Sequence, residues 1–292
     1  MKQTSTPVTI LDGFSACSAG YDVVLCDIWG VLHNGIQAYA SASDALTRYR
    51  HQGGRVILVS NAPRPAEDVV GLLDNLGVAR SAYDGIVTSG DVTRSMLSAG
   101  TWKRYFWLGP QRDGGLFAGI PLQSASLEDA DVIVCTGLFD DRTETAENYR
   151  EFLVEARTLN RPFLCANPDI LVERGGELIY CAGAIAALYE SLGGETLYSG
   201  KPYRPIYTAA LEVAASFLHR VPDLSRTLMI GDAIKTDVAG ATAMGCASLF
   251  VLRGIHMHEL GLDQGALNNG TFEAFIDRSA VRPTYAIDTL VW

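Results

Sequence analysis

Four stretches of the chain carry side chains whose types could act together. Asp27 ends the apolar run DVVLCD, Ser60 and Asn61 end RVILVSN, and Asp232 closes TLMIGD with Asp237 soon after it. Lys201 sits in YSGKPYRP. A carboxylate at a strand end can serve as a nucleophile that splits one difficult hydrolysis into two easier steps. Carboxylate oxygens are also the donors that a hard dication such as Mg²⁺ takes, in octahedral geometry and with several waters kept. A hydroxyl and backbone N–H groups can hold a phosphoryl group where transition-state charge spreads, and a lysine adds a compact positive charge. In open parallel sheets, ligands bind outside the carboxyl ends of the strands, where strand order reverses. Carboxylates and a hydroxyl at three such ends are a first functional clue.

The elements that must position these residues are legible in the same sequence. Apolar runs rich in β-branched and aromatic residues recur at Asp22–Asp27, Arg55–Asn61, Gly85–Ser89, Tyr105–Leu108, Asp131–Thr136, Pro162–Ala166, Thr227–Asp232 and Ala247–Leu252. Near-continuous apolarity suits strands buried on both faces of a parallel sheet. Segments of helical period lie between them. Ala40–Gln52 stops at Gly53-Gly54, and Arg64–Leu76 has prolines at its start and Gly77 at its end; Glu144–Leu159, Gly183–Leu192 and Pro205–Leu218 read alike. The alternation predicts an α/β fold, a doubly wound parallel sheet with right-handed crossovers.

Composition removes several function classes. Of 292 residues, 48% are hydrophobic, enough for a large core and too many for a disordered chain. The formal net charge is −10 and no basic run occurs, which argues against a nucleic-acid partner. A small anionic substrate stays admissible, because local donors or a metal ion override the overall sign. None of the six cysteines forms a Cys-x-x-Cys pair, so reduced core thiols are expected. MKQTSTPVTILDGF has no secretory apolar stretch, and no window of ~18 apolar residues occurs. A cytoplasmic location without membrane partners follows as an expectation.

The blocks LCDIWGVLHNG, ILVSNAPRP, YSGKPYRP and LMIGDAIKTDVAGATAMG, in that order, resemble the four motifs of the haloacid dehalogenase (HAD) superfamily, and within it class IIA, the NagD-like and p-nitrophenylphosphatase-like group. NPD at Asn167–Asp169 and AGAIAALYESLGG fit the same group. The resemblance spans roughly Tyr21 to Gly254, and four ordered motifs are far more specific than any one of them. It implies a Mg²⁺-dependent phosphohydrolase that forms an aspartyl-phosphate on Asp27. Asp27, Asp232 and the backbone carbonyl of Trp29 would hold the metal. Ser60, the Asn61 N–H and Lys201 would hold the phosphoryl group, with Lys201 neutralising Asp27, and Asp237 would be the helper carboxylate behind the metal ligands. The implied partner is a small phosphorylated metabolite. Fold expectations are a core of 1–98 and 195–292 with an inserted α/β cap, 99–194, that selects the substrate. Caps of this class often pair two copies, which makes a homodimer one possible arrangement.

Blander readings compete with each motif. Asp232 and Asp237 could merely start a helix, since carboxylates favour helix N-termini. The lysine dipeptide fails the P-loop pattern, because Pro202 follows it and the glycine spacing is wrong. His256 and His258 lack the spacing of a metal pair and read as an exposed loop. Asn269-Gly270-Thr271 fits a glycosylation acceptor but has no secretory context.

One position departs from the family pattern. The family's phosphatases usually read Asp-x-Asp-Gly in the first motif, the second Asp protonating the leaving oxygen and then activating water. Trp29 stands there, and an indole N–H cannot accept a proton. General acid–base catalysis is worth about 10²–10⁴-fold. Three hypotheses follow. The enzyme favours substrates with good leaving groups; His33 or a group from the cap supplies the proton; or the chain is a catalytically impaired homologue that binds a phosphorylated ligand.

Overall fold

In the structure, a computed structural model, residues 7–174 and 177–292 are described. They fall into two compact units. The first comprises residues 7–58, Leu76–Gly85 and Leu211–Trp292, and the second comprises the described residues of Val59–Asn75 and Ile86–Ala210.

Most of a seven-stranded sheet lies in the first unit, with residues 59–60 and 86–88 counted in the second. Its strand order is Thr9–Leu11, Tyr285–Ile287, Ala247–Val251, Thr227–Gly231, Val23–Cys26, Arg55–Ser60, Gly85–Thr88. From Thr9–Leu11 across to Arg55–Ser60 every neighbour pairs in parallel. The central strands Val23–Cys26 and Thr227–Gly231 are buried throughout, as their unbroken apolar sequences require. Chain order reverses between them, because Val23–Cys26 has Arg55–Ser60 on one side and Thr227–Gly231 on the other. Their register pairs Cys26 with Ile230, and the Asp27 N–H continues the ladder to the Ile230 carbonyl at 2.8 Å. Asp27 and Asp232 therefore emerge at neighbouring strand ends where the topology opens a crevice. Under one region of the sheet, Ile234, Val238, Phe250, Leu260, Phe272 and Phe275 form a buried cluster.

The second unit carries a five-stranded sheet, ordered Thr196–Tyr198, Phe163–Cys165, Val132–Cys135, Arg104–Leu108, Gln123–Ser124, all in parallel. Alternate residues of one strand point to opposite faces. Ile133 and Cys135 join Phe163 and Cys165 against the helices Arg150–Thr158 and Ala182–Ser191, while Val132 and Val134 join Leu164, Leu97 and Leu116. Both faces are thus covered, and this accounts for buried thiols at Cys135 and Cys165. The six cysteines are all free. A two-stranded antiparallel hairpin, Leu171–Arg174 with Glu177–Tyr180, completes the unit's strands. Among the described residues no helix is long and apolar enough to cross a membrane.

Candidate active site

Three of the expected residues converge in the first unit. Asp27, Asp232 and Asp237 each offer a carboxylate oxygen, and these oxygens lie within 4.8 Å of one another. Asp27 is half-buried, whereas Asp232 and Asp237 are 5% and 4% exposed. Each is held by backbone donors. Ile28 N–H donates to Asp27 Oδ1 at 2.7 Å, and Ile255 N–H to Asp232 Oδ2 at 2.8 Å. Ala233 N–H donates to Asp237 Oδ2 at 3.2 Å. Asp237 lies in a π-helical turn, Ile234–Val238, that leads into the helix Ala239–Met244. The wider turn brings its carboxylate back toward the strand end, so the plain helix-start reading does not describe it.

Three carboxylates this close repel one another unless a cation or a proton intervenes. The donor set is all oxygen, largely buried and backed by main-chain N–H groups, which fits a hard dication.

Glycines that the sequence reading did not single out make the crowding possible. At Gly30, whose φ is +80°, a Cβ would overlap Asp232 Oδ2, and at Gly254 a Cβ would overlap the same carboxylate. Two backbone strips thus clasp Asp232 at a distance only glycine allows. His256 was also missed. His258 is exposed, as expected of a loop, but His256 is half-buried; its Nε2 accepts from Ile234 N–H at 3.4 Å and its Nδ1 meets Glu259 Oε2 at 2.9 Å. It braces the turn that presents Asp237.

Trp29 and His33 form one tight loop just beyond Asp27. Bridges join Trp29 to His33 and His33 to Ala38, and the Trp29 ring meets the His33 ring edge to face, 5.0 Å between centroids. His33 Nδ1 accepts Gly35 N–H at 2.9 Å, which leaves the proton on Nε2. The ring is 1% exposed, and burial pushes its pKa down to about 4. A neutral imidazole with such a low pKa is a poor proton donor near neutrality.

Ser60, Asn61 and Lys201 belong to the second unit, where they are 9%, 4% and 3% exposed. Ser60 is the last residue of its strand, and its Oγ accepts Ala62 N–H at 3.2 Å. The Asn61 amide embraces the Lys201 backbone. Oδ1 accepts Lys201 N–H at 2.7 Å, and Nδ2 donates to the Lys201 carbonyl at 3.2 Å and to Asp169 Oδ1 at 2.9 Å. Gly200 is again obligatory, since a Cβ there would overlap Asn61 Oδ1. The Asn61 side chain is thereby committed to the lysine loop, which leaves only its backbone for the phosphate role expected of it.

A solved hydrolase of the haloacid dehalogenase-like family from Brucella suis 1330 is 43% identical, superposes with a TM-score of 0.85, and matches 97% of this chain and 100% of that one. Family models described as haloacid dehalogenase-like hydrolase and HAD-hydrolase-like match residues 24–117 and 198–291. The chain belongs to the haloacid dehalogenase-like hydrolases. The fold of this HAD hydrolase is also that of a p-nitrophenyl phosphatase from Archaeoglobus fulgidus, at 20% identity and TM-score 0.71 over 92% of this chain and 96% of that one. Among curated relatives, a D-glycerol 3-phosphate phosphatase of Mycobacterium tuberculosis is 27% identical over 91% of this chain and 69% of its own. The four blocks that carried the resemblance all lie in the matched parts of the HAD hydrolase.

Proposed function

We propose that the chain is a Mg²⁺-dependent phosphohydrolase that works through an aspartyl-phosphate on Asp27 and favours substrates with good leaving groups. The observation that carries this reading is the meeting of Asp27, Asp232 and Asp237 at the ends of neighbouring strands. Asp27, Asp232 and the Trp29 carbonyl would hold the metal, which when bound would supply positive charge to the phosphoryl oxygens. Ile28 N–H orients the Asp27 carboxylate, one oxygen of which attacks phosphorus while the leaving-group oxygen departs with the bonding pair. Water then attacks the phosphorus, the bond to Asp27 breaks, and phosphate is released with the carboxylate restored. Ser60, the Asn61 N–H and the Lys201 ammonium would take up the charge that spreads over the phosphoryl oxygens. Asp237 steadies the region behind the two ligands.

Leaving-group preference follows from Trp29. No carboxyl stands at its position, and His33 is neutral and buried, so the departing oxygen leaves with its negative charge. Aryl phosphates, acyl phosphates and phosphoanhydrides tolerate that, and alkyl phosphates do not. The phosphatase names of relatives support a small phosphorylated metabolite as substrate, with residues 99–194 as the cap that selects it. The free cysteines suit a reducing cytoplasm, and two caps could pair in a homodimer.

Rates across a panel of phosphate esters ordered by leaving-group pKa test the reading. A steep fall in rate with rising basicity is expected, and Trp29→Asp should flatten it. Efficient hydrolysis of alkyl phosphates by the wild type would overturn the preference. Trp29 also favours a second reading, a homologue that binds a phosphorylated ligand without turnover; no hydrolysis anywhere on the panel, with thermal stabilisation by the same compounds, would select it.

A further inference from the structure

The NPD stretch at Asn167–Asp169 has no part in the chemistry above, yet Asp169 meets the Asn61 amide directly. That amide has one workable orientation. The Lys201 N–H can only donate and the Asp169 carboxylate can only accept. Reversing the amide would set donor against donor at Lys201 N–H, and oxygen against oxygen at both Asp169 and the Lys201 carbonyl. Of the three bonds, the one to Asp169 involves a carboxylate and is the strongest of its kind. Asp169 is itself fixed at both ends of its backbone. Its N–H donates to Asn167 Oδ1 at 3.1 Å, and its carbonyl accepts Gly183 N–H at 3.1 Å at the head of the Ala182–Ser191 helix. A Cβ on Gly183 would press on the Asp169 and Pro168 carbonyls, so the AGA sequence is what lets the helix dock there.

We propose that Asp169 is a positioning residue for Lys201, acting through the Asn61 amide. Asp169 locks the amide, the amide locks the Lys201 backbone, and the backbone sets the point from which the ammonium reaches out. The proposal rests on the reading of Lys201 as the charge that serves the phosphoryl group.

Kinetics and amide exchange on the full chain test it together. Asp169→Ala should lower kcat about tenfold with KM changed less than about twofold, the scale expected for one buried charge-assisted hydrogen bond. Asp169→Asn should recover most of that loss, because its side-chain carbonyl can still accept from Asn61 Nδ2. In an Asn61→Ala background, Asp169→Ala should cost less than about twofold more, since the intermediary is already gone. Asn61→Asp sets two carboxylates face to face and should be impaired, and adding Asp169→Asn should restore part of the loss, the contact with the Lys201 carbonyl staying unfavourable. This exchanged pair serves even if Asp169→Ala does not fold. The Lys201 amide should exchange about tenfold faster in Asp169→Ala, with the Val132–Cys135 strand unchanged. Additive losses, or an exchanged pair no better than Asn61→Asp alone, would overturn the proposal. So would an unaltered Lys201 exchange rate. Faster exchange at Lys201 with activity that ignores Lys201→Met would instead uphold the clamp and overturn the catalytic reading of the lysine.

Discussion

Replacing Asp232 by Asn removes one charge from the carboxylate cluster while keeping its shape, and the consequence for stability can be worked out. Ligand oxygens within 4.8 Å of each other repel by about 3.5 kcal/mol per ionised pair at an effective dielectric constant of about 20. Asp232 has two such neighbours, so about 7 kcal/mol of repulsion is available to be relieved when all three are ionised. Relaxation and water entry already dissipate part of it. Against the rest stands a weaker hydrogen bond from Ile255 N–H, costing about 1–2 kcal/mol once its acceptor is neutral. A net gain of about 1–3 kcal/mol remains, or a rise in Tm on the order of 5 °C without metal. Magnesium should reverse the ranking. At a thousand times its Kd it would stabilise the wild type by about 4.1 kcal/mol, and the variant hardly at all. Thermal melts of both proteins in EDTA and in millimolar MgCl₂ check this. An Asp232→Asn protein that is less stable in EDTA, yet keeps the full magnesium shift, would refute the reasoning.

Two further outcomes are expected. His33 is neutral in the fold down to about pH 4 but protonates near 6.5 when unfolded, so the unfolded chain binds more protons between those values and stability should rise with pH across that window. In His33→Asn that slope should vanish in denaturant titrations while the pH–rate profile above pH 6 stays put; a shifted rate profile would make His33 part of the chemistry. Gly254→Ala drives a Cβ into the Asp232 carboxylate and should abolish the magnesium-dependent rise in Tm, measured by the same melts; an undiminished rise would show that Asp232 does not bind the metal.

Much of this architecture could be read from the chain because the central strands are apolar without interruption. Val23–Cys26, Arg55–Ser60 and Thr227–Gly231 lie within a residue or two of the runs that announced them, and the polar residue that breaks each run is the one at the strand end. Two edge strands gave no such signal. Thr9–Leu11 is three residues long and mostly exposed, and Gln123–Ser124 is two exposed polar residues, so their pairing comes from the sheet and not from their own pattern. The helix Ser89–Ala99 was overlooked among small residues, although Thr88 and Asp91 spell a capping box before it. The helix expected from Arg64 begins at Ala66, after the second proline, as a residue preceding proline is kept out of helical geometry. Within the site, side chains with obvious chemistry were legible and their supports were not. Gly30 and Gly254 matter for the atom they lack, and His256 for bracing a turn from a distant loop. Neither property leaves a periodic trace.

The absence of an acid at residue 29 bears on both halves of the reaction. A residue that protonates the leaving oxygen is also the one that would deprotonate the incoming water. With an indole in its place, the second step loses its base as well, and phosphate should linger on Asp27 when the leaving group is good enough to make the first step fast. What Asp27 carries during turnover therefore decides the mechanism most directly. The protein mixed with 4-nitrophenyl phosphate and magnesium, quenched in acid within the first turnover and analysed by peptide mass spectrometry, should carry one phosphoryl group on the peptide containing Asp27, and none in Asp27→Asn. Continued release of phosphate with Asp27 unmodified at every quench time, or with the phosphoryl group on another residue, would contradict it.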